Sequence, residues 1–234
     1  MPKKLTEIGI RYGTDKAYYH SFTEFYNDYF EQFLGKPINI LEIGIASGGS
    51  LSTLREYFPH ATIYAIDINQ QSVNLKLGDN VHTYLCSQDD FEKLKILFCN
   101  IKFDIIIEDG SHMTSHQQSS LGFFFPYLNK KGIYICEDLH TSYNAEYIDT
   151  KDTTMDMINH YQRFREIKSN VITGDQILYL NANIVDCILY ERKENALMCY
   201  RCKTYNTCRN EHCIQCNTIL SPLDRSITSI FLHK

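Results

Sequence analysis

Two apolar runs in this chain end in acids. Phe103-Asp-Ile-Ile-Ile-Glu-Asp-Gly-Ser-His112 reads as a buried strand tipped by two carboxylates, a glycine, a serine and an imidazole, and Gly132-Ile-Tyr-Ile-Cys-Glu-Asp138 ends the same way. If the two runs are neighbouring strands, about 4.8 Å apart, Asp109 converges on Glu137 and Asp138. Three carboxylates without a soft ligand suit a hard cation, Mg²⁺ best, with positions left for water or substrate. His112, three residues past Asp109, is placed to swing over the same pocket as a general base. Taken singly, an Asp at a strand end is a turn former and a lone His a surface residue. The pairing of the two tips makes them a candidate site, with Glu108 a structural partner.

A second candidate is the turn Leu41-Glu-Ile-Gly-Ile-Ala-Ser-Gly-Gly-Ser50. Its glycines let a ligand approach the backbone, and a following helix offers unpaired N–H groups. The dinucleotide pattern G-x-G-x-x-G is not met by Gly44, Gly48 and Gly49. Glu42 lies inside the preceding strand, and Asp67 ends the next one, where a carboxylate can accept both hydroxyls of a ribose. Ser87, Gln88 and Asp89 follow the third strand.

These residues need a scaffold, and the chain spells one out. Strand-like runs Ile38–Ile43, Thr62–Asp67, Val81–Cys86, Phe103–Glu108 and Gly132–Cys136 alternate with helix-like segments 50–58 (Ser50 as N-cap), 89–100 and 114–128. Continuous apolar strands alternating with helices predict a Rossmann-like, doubly wound α/β fold with a mostly parallel sheet. Met155 to Arg165 reads as one more helix. Ile177 to Tyr190 reads as two strands around a polar turn, an antiparallel C-terminal hairpin on the sheet edge. The expected division is a helical cap over residues 1–36, a catalytic domain over 37–192 and a polar, Cys-rich tail over 193–234. Aromatic residues of the cap, Tyr18, Tyr19, His20, Phe22, Phe25 and Tyr26, suit either a lid over the site or core packing.

A net charge of −5 over 234 residues argues against a nucleic-acid partner. No apolar run approaches the roughly 20 residues of a membrane span. The start, Met-Pro-Lys-Lys-Leu-Thr-Glu, has no signal-peptide pattern, so the expected location is the reducing cytoplasm.

The acid-glycine loop followed by the strand-terminal Asp67 resembles motifs one and two of class I S-adenosylmethionine (SAM)-dependent methyltransferases. Glu108-Asp-Gly-Ser-His112 and Glu137-Asp-Leu-His-Thr-Ser-Tyr143, with Arg11-Tyr-Gly-Thr-Asp-Lys16, His20, Phe22 and Tyr26 upstream, are similar to segments of the Mg-dependent sugar O-methyltransferases of macrolide biosynthesis, the mycinamicin type. The likeness covers roughly residues 8 to 190. Glu108 stands where that family has Asp, and the loop from Ile45 to Ser50 is shorter. The resemblance implies SAM held by Glu42, Gly44, Gly48, Ser50, Asp67, Gln88 and Asp89, and Mg²⁺ on Asp109, Glu137 and Asp138. It implies His112 as the base and, as acceptor, a sugar presenting vicinal hydroxyls, either small, nucleotide-linked or part of a glycan. A catechol-like acceptor, or a non-catalytic SAM-binding scaffold, is the alternative; the assembly, homo-oligomer or not, stays open.

Five of the nine cysteines lie between 199 and 216. Cys199/Cys202 and Cys213/Cys216 form two C-x-x-C pairs, the spacing of a structural zinc knuckle, with Cys208 and His212 as spare ligands. Unmetallated thiols or an iron–sulfur cluster are the other readings.

Overall fold

The computed structural model describes residues 3–192, 199, 201–202, 204, 212–218 and 226–234. Three helices open the chain, α1 (Lys4–Tyr12), α2 (Asp15–Tyr18) and α3 (Phe22–Phe30). Then come β1 (Asn39–Ile43), α4 (Gly49–Tyr57), β2 (Thr62–Asp67), α5 (Gln70–Val73), β3 (Val81–Leu85), α6 (Phe91–Phe98), β4 (Phe103–Glu108), α7 (Thr114–Phe124) and β5 (Leu128–Cys136). The chain continues through α8 (Thr154–Phe164), α9 (Gly174–Asn183), β6 (Ile184–Glu191) and β7 (Ile227–His233). The seven strands lie in the order β3-β2-β1-β4-β5-β7-β6. β1 to β5 are parallel, and β7 is antiparallel to both β5 and β6. This is the expected Rossmann-like, mostly parallel sheet with antiparallel C-terminal strands.

The continuous apolar strands follow from burial on both faces. On one face α1, α3 and α4 pack Leu5, Ile8, Phe22, Phe30, Leu51 and Leu54 onto Ile40, Ile105, Ile133 and Ile230. On the other, α6 to α9 bring Leu94, Phe98, Leu121, Phe124, Ile158 and Leu180 onto Leu41, Ile106, Tyr134 and Phe231. Phe22 and Tyr26 are therefore core residues, buried at the root of the cap. Successive strands run left from β1 and then right from β4, so the crevice between β1 and β4 is the topological switch point, where open α/β sheets bind ligands. The register aligns the strand tips there, pairing Ile43 with Glu108 and Glu108 with Cys136.

Three local expectations are corrected. Ser50 is not the N-cap of α4; that position is Gly48, whose φ of 78° a glycine adopts without strain. The stretch from Ile177 is not a hairpin. Its first half is α9, started by a capping box in which Thr173 and Gln176 satisfy each other's backbone N–H groups. The T-x-x-Q signal outweighs the apparent period-2 alternation that follows it. Finally, β6 pairs with Ile227–His233, which lay within the expected polar tail but forms a strand inside the sheet, with all but one of its residues buried. Among the described residues no helix is long and apolar enough to cross a membrane.

Candidate active site

Backbone bonds carry the ladder past the strand ends and fix the loops there: Gly44 N donates to Ile66 O, Asp109 N to Ile43 O and Glu137 N to Glu108 O, each 2.9 Å. Gly44 (φ 96°) passes so close to the Asp109 carbonyl that any Cβ would overlap it. Two clefts flank this contact. One is bounded by Gly13 to Lys16, Glu42, Ile45 to Ser47, Ser50 and Asp109. The other is bounded mainly by apolar surface from Ile43, Ile66, Ile68 and Cys86, with Asp67, Gln88, Ser111 and His116.

The cofactor candidates divide into wall and brace. Asp67 accepts from the loop amides of Ile45 (2.8 Å) and Ala46 (3.3 Å) through one oxygen and from Asn69 N (2.7 Å) through the other. It thus shapes the glycine turn as well as facing the apolar cleft. Gln88 is buried and fully engaged: it donates to Glu108 (2.8 Å) and Ser120 (3.2 Å) and accepts from Ser111 N (2.8 Å). Asp89 stands at the rim, bonded to Ser87 and 3.6 Å from His116 Nε2. Glu42 is buried, hydrogen-bonded by Ser50, with Oε2 lacking a partner among the described residues. Burial pushes its carboxyl up to about 7 against the downward pull of Lys16.

At the strand tips Asp109, His112 and Asp138 come together, with one donor atom of each within 4.8 Å of the others. His112 Nε2 is 3.7 Å from Asp138 Oδ2. His112 (φ 61°) and Asp138 (φ 53°) both hold left-handed backbone, a strain that concentrates at functional sites. Glu137 is adjacent, outside that three-residue group. Its Oε2 lies 2.8 Å from Lys16 Nζ, which also contacts Asp109 and reaches to 3.6 Å from Glu42. Burial opposes the Lys16 charge, but Asp109, Glu137 and Glu42 together raise its pKa well above the lysine norm. Asp138 is pushed up to about 7 by burial and by Asp109; Glu137 rises well above the carboxylate range for the same two causes, with Lys16 opposing. Glu108 is wholly buried on Gln88 and Cys136, the supporting role expected of it.

Three side chains named in the sequence motifs, Lys16, His20 and His140, surround these acids without a role there having been legible from sequence. Lys16 lies in the Arg11-to-Lys16 motif, whose local pattern assigns it no partner, and it is buried on the short helix α2. His20 Nδ1 and His140 Nδ1 each lie 3.8 Å from Asp138 Oδ1. His20 is buried, its Nδ1 2.8 Å from Ser226 Oγ, and burial holds its pKa down at about 3, so it is neutral at physiological pH.

A hard dication fits this donor set. Oδ1 of Asp138 and Oε1 of Glu137 are buried with no hydrogen-bond partner among the described residues, and burial followed by the neighbouring Asp109 charge raises both carboxyls, a cost that a bound cation would relieve. The four cysteines of the two C-x-x-C pairs also come together. The Sγ atoms of Cys199, Cys202, Cys213 and Cys216 lie within 4.8 Å of one another. His212 is exposed and outside that group, and Cys208 lies outside the described residues.

No family model matches the chain. Among curated proteins it is similar to 8-demethyl-8-alpha-L-rhamnosyl tetracenomycin-C 2'-O-methyltransferase of Streptomyces olivaceus, 35% identical over 147 residues, covering 59% of this chain and 38% of that protein. It is also similar to mycinamicin VI 2''-O-methyltransferase of Micromonospora griseorubida, 34% identical over 148 residues, covering 59% and 37%. Among solved structures it resembles the MycE methyltransferase of the mycinamycin pathway, solved with Mg, SAH and mycinamycin VI, at a TM-score of 0.68 and 29% identity over 80% of this chain and 51% of that one. The chain therefore spans under two-fifths of the length of these curated relatives and about half of MycE. The likeness to macrolide sugar O-methyltransferases read from the strand tips is shown by these relatives, and the fold is the Rossmann-like methyltransferase fold.

Proposed function

We propose that this chain transfers a methyl group from SAM to a sugar hydroxyl, with Asp109, Glu137 and Asp138 holding Mg²⁺ and His112 as general base. The observation that carries the reading is the meeting of Asp109, His112 and Asp138 at the switch point, separated from the glycine turn only by the Gly44–Asp109 backbone contact. The named activities of the sugar O-methyltransferase relatives support a sugar over a catechol-like acceptor.

In this reading the apolar cleft beside Ile66, Ile68 and Cys86 takes the purine of SAM, with Asp67 facing the ribose and Gln88 and Asp89 bracing the rim. The Gly44-to-Ser50 turn admits the rest of the donor, and the partnerless Oε2 of buried Glu42 meets its ammonium group. Bound Mg²⁺ would chelate vicinal hydroxyls and make one of them more acidic. His112 Nε2 takes that proton, and Asp138, 3.7 Å away, stabilises the resulting imidazolium. SAM, when bound, would supply the methyl group to the oxygen that His112 deprotonates. His20, neutral and anchored on Ser226, forms the far wall of Asp138 rather than a second base. The acceptor class is a small, nucleotide-linked or glycan sugar, and the reading places the reaction in the cytoplasm.

The test is a panel of nucleotide-sugars and glycosides incubated with SAM and read by mass spectrometry. Methylation of a sugar hydroxyl that stops with EDTA and returns with Mg²⁺ is expected. Undiminished turnover after thorough chelation would rule out the metal role, and transfer to catechols alone would move the acceptor class.

A further inference from the structure

We infer that Cys199, Cys202, Cys213 and Cys216 bind one structural Zn²⁺, and that this ion clips the long connection between β6 and β7. The cluster stands apart from both cores of the sheet, and its four side chains pack on one another. Two stretches of identical sequence pattern supply it, Cys199-Tyr-Arg-Cys202-Lys-Thr204 and Cys213-Ile-Gln-Cys216-Asn-Thr218, each reading C-x-x-C-x-T. Their local bonding repeats too. Cys199 N donates to Thr204 O at 3.0 Å and Cys213 N to Thr218 O at 2.8 Å. The second cysteine of each turn places its Sγ against the threonine hydroxyl, Cys202 to Thr204 at 3.3 Å and Cys216 to Thr218 at 3.2 Å. In the second turn Gln215 N also donates to Cys213 Sγ at 3.4 Å. An amide turned toward sulfur stabilises a thiolate, and the threonine contacts fix the orientation of the second cysteine of each pair.

The sulfur spacing identifies what the turns are built around. Sulfurs at about 2.3 Å from a tetrahedral zinc lie about 3.8 Å from one another. Across the two turns Cys199 and Cys216 are 3.6 Å apart and Cys202 and Cys213 3.4 Å, and all four sulfurs share one sphere. A disulfide needs about 2.05 Å and joins sulfurs in twos, which leaves no reason for a fourfold cluster or for sulfur-directed donors. Four thiolates in a closed shell leave no open position, so the ion's role is structural and not catalytic.

Its place in the chain gives the clip its use. The connection it closes begins and ends beside the candidate active site: Arg192 N donates to Ser226 O at 2.9 Å, Ser226 Oγ meets His20 Nδ1, and Thr228 Oγ1 meets the Tyr26 hydroxyl at 2.8 Å. Tying off a long loop reduces the entropy lost when its ends are fixed, so zinc favours the docking of β7 between β5 and β6.

Full-length protein purified without chelators should carry one zinc per chain by elemental analysis. Protein made with cobalt in place of zinc should show the intense thiolate-to-metal absorption and visible bands of tetrahedral four-sulfur coordination. The C202S/C216S double variant should lose the metal and melt at lower temperature, whereas C208A and H212A should keep it. Iron in place of zinc would overturn the assignment. So would metal-free folded protein whose four cysteines alkylate readily or map as disulfides. SAM binding and sugar methylation are separate readouts, so loss of the zinc assignment leaves the proposed function standing, and the converse holds.

Discussion

Replacing Lys16 by methionine keeps the volume of the side chain and removes the one positive charge that, among the described residues, contacts Glu42, Asp109 and Glu137 together. The lysine is almost wholly buried, so its partners cannot turn to water when it goes. Removing one member of a buried ion pair costs about 3–5 kcal/mol, because the charge left behind is uncompensated. For a chain of this size each kcal/mol lowers the melting temperature by about 2–4 °C, which gives a fall of roughly 6–20 °C for K16M. The three acids can shed part of that penalty by taking up protons, which places the expected value toward the lower end near neutral pH and makes the deficit shrink as pH falls. A dication bound by Asp109 and Glu137 would replace the missing charge, so Mg²⁺ should stabilise K16M by more than it stabilises the parent. Thermal melts by circular dichroism, for both proteins in EDTA and in excess Mg²⁺, measure all of this. If K16M in EDTA melts within about 2 °C of the parent, Lys16 is not the counter-charge of the site; an equal Mg²⁺ response in both proteins would refute the shared use of the acids.

His112→Ala should lower turnover by about 10²-fold or more while leaving SAH affinity and the Mg²⁺-induced rise in melting temperature intact; loss of the Mg²⁺ response would make His112 a ligand instead of the base. Asp138→Asn should abolish that Mg²⁺ response and methyl transfer together, as seen by melting and by mass spectrometry, and a retained response would remove Asp138 from the metal site. Gly44→Ala forces a Cβ into the Asp109 carbonyl at a left-handed φ, a strain of about 1–3 kcal/mol, so SAH affinity by calorimetry should fall roughly tenfold. Unchanged affinity would show that the turn is only a connection.

The parts of this site that could be read from sequence are those whose placement follows from local pattern. A strand's apolar run predicts its burial, its last residue predicts the sheet edge, and parallel neighbours put Asp109 beside Glu137 and Asp138. The glycine turn follows for the same reason. Lys16 escaped because nothing within the cap says which acids it will meet; that depends on α2 folding back over the tips of β1, β4 and β5. His20 escaped likewise, since it reaches Asp138 from the distant cap, whereas His140 is brought there locally by the short 3-10 turn Leu139–Tyr143 that follows Asp138. In the C-terminal part, the alternation over Ile177 to Leu180 suits a strand and a partly buried helix equally, and the capping box decided between them. β7 was hidden by its polar centre: Thr228 and Ser229 interrupt its apolar run yet are buried, Thr228 satisfied by the Cys136 carbonyl and the Tyr26 hydroxyl.

The position of β7 also bears on how the chain is made. It comes after β6 in sequence but lies between β5 and β6 in the sheet. While the ribosome is still adding residues before 227, the inner edge of β5 has no neighbour and β6 has nowhere to dock. An open, strongly apolar strand edge invites pairing with other chains, and late-closing sheets of this kind are prone to aggregate during synthesis. A newly made chain thus carries an open edge at β5, the strand whose tip bears Glu137 and Asp138, until residues 227–233 pair with it.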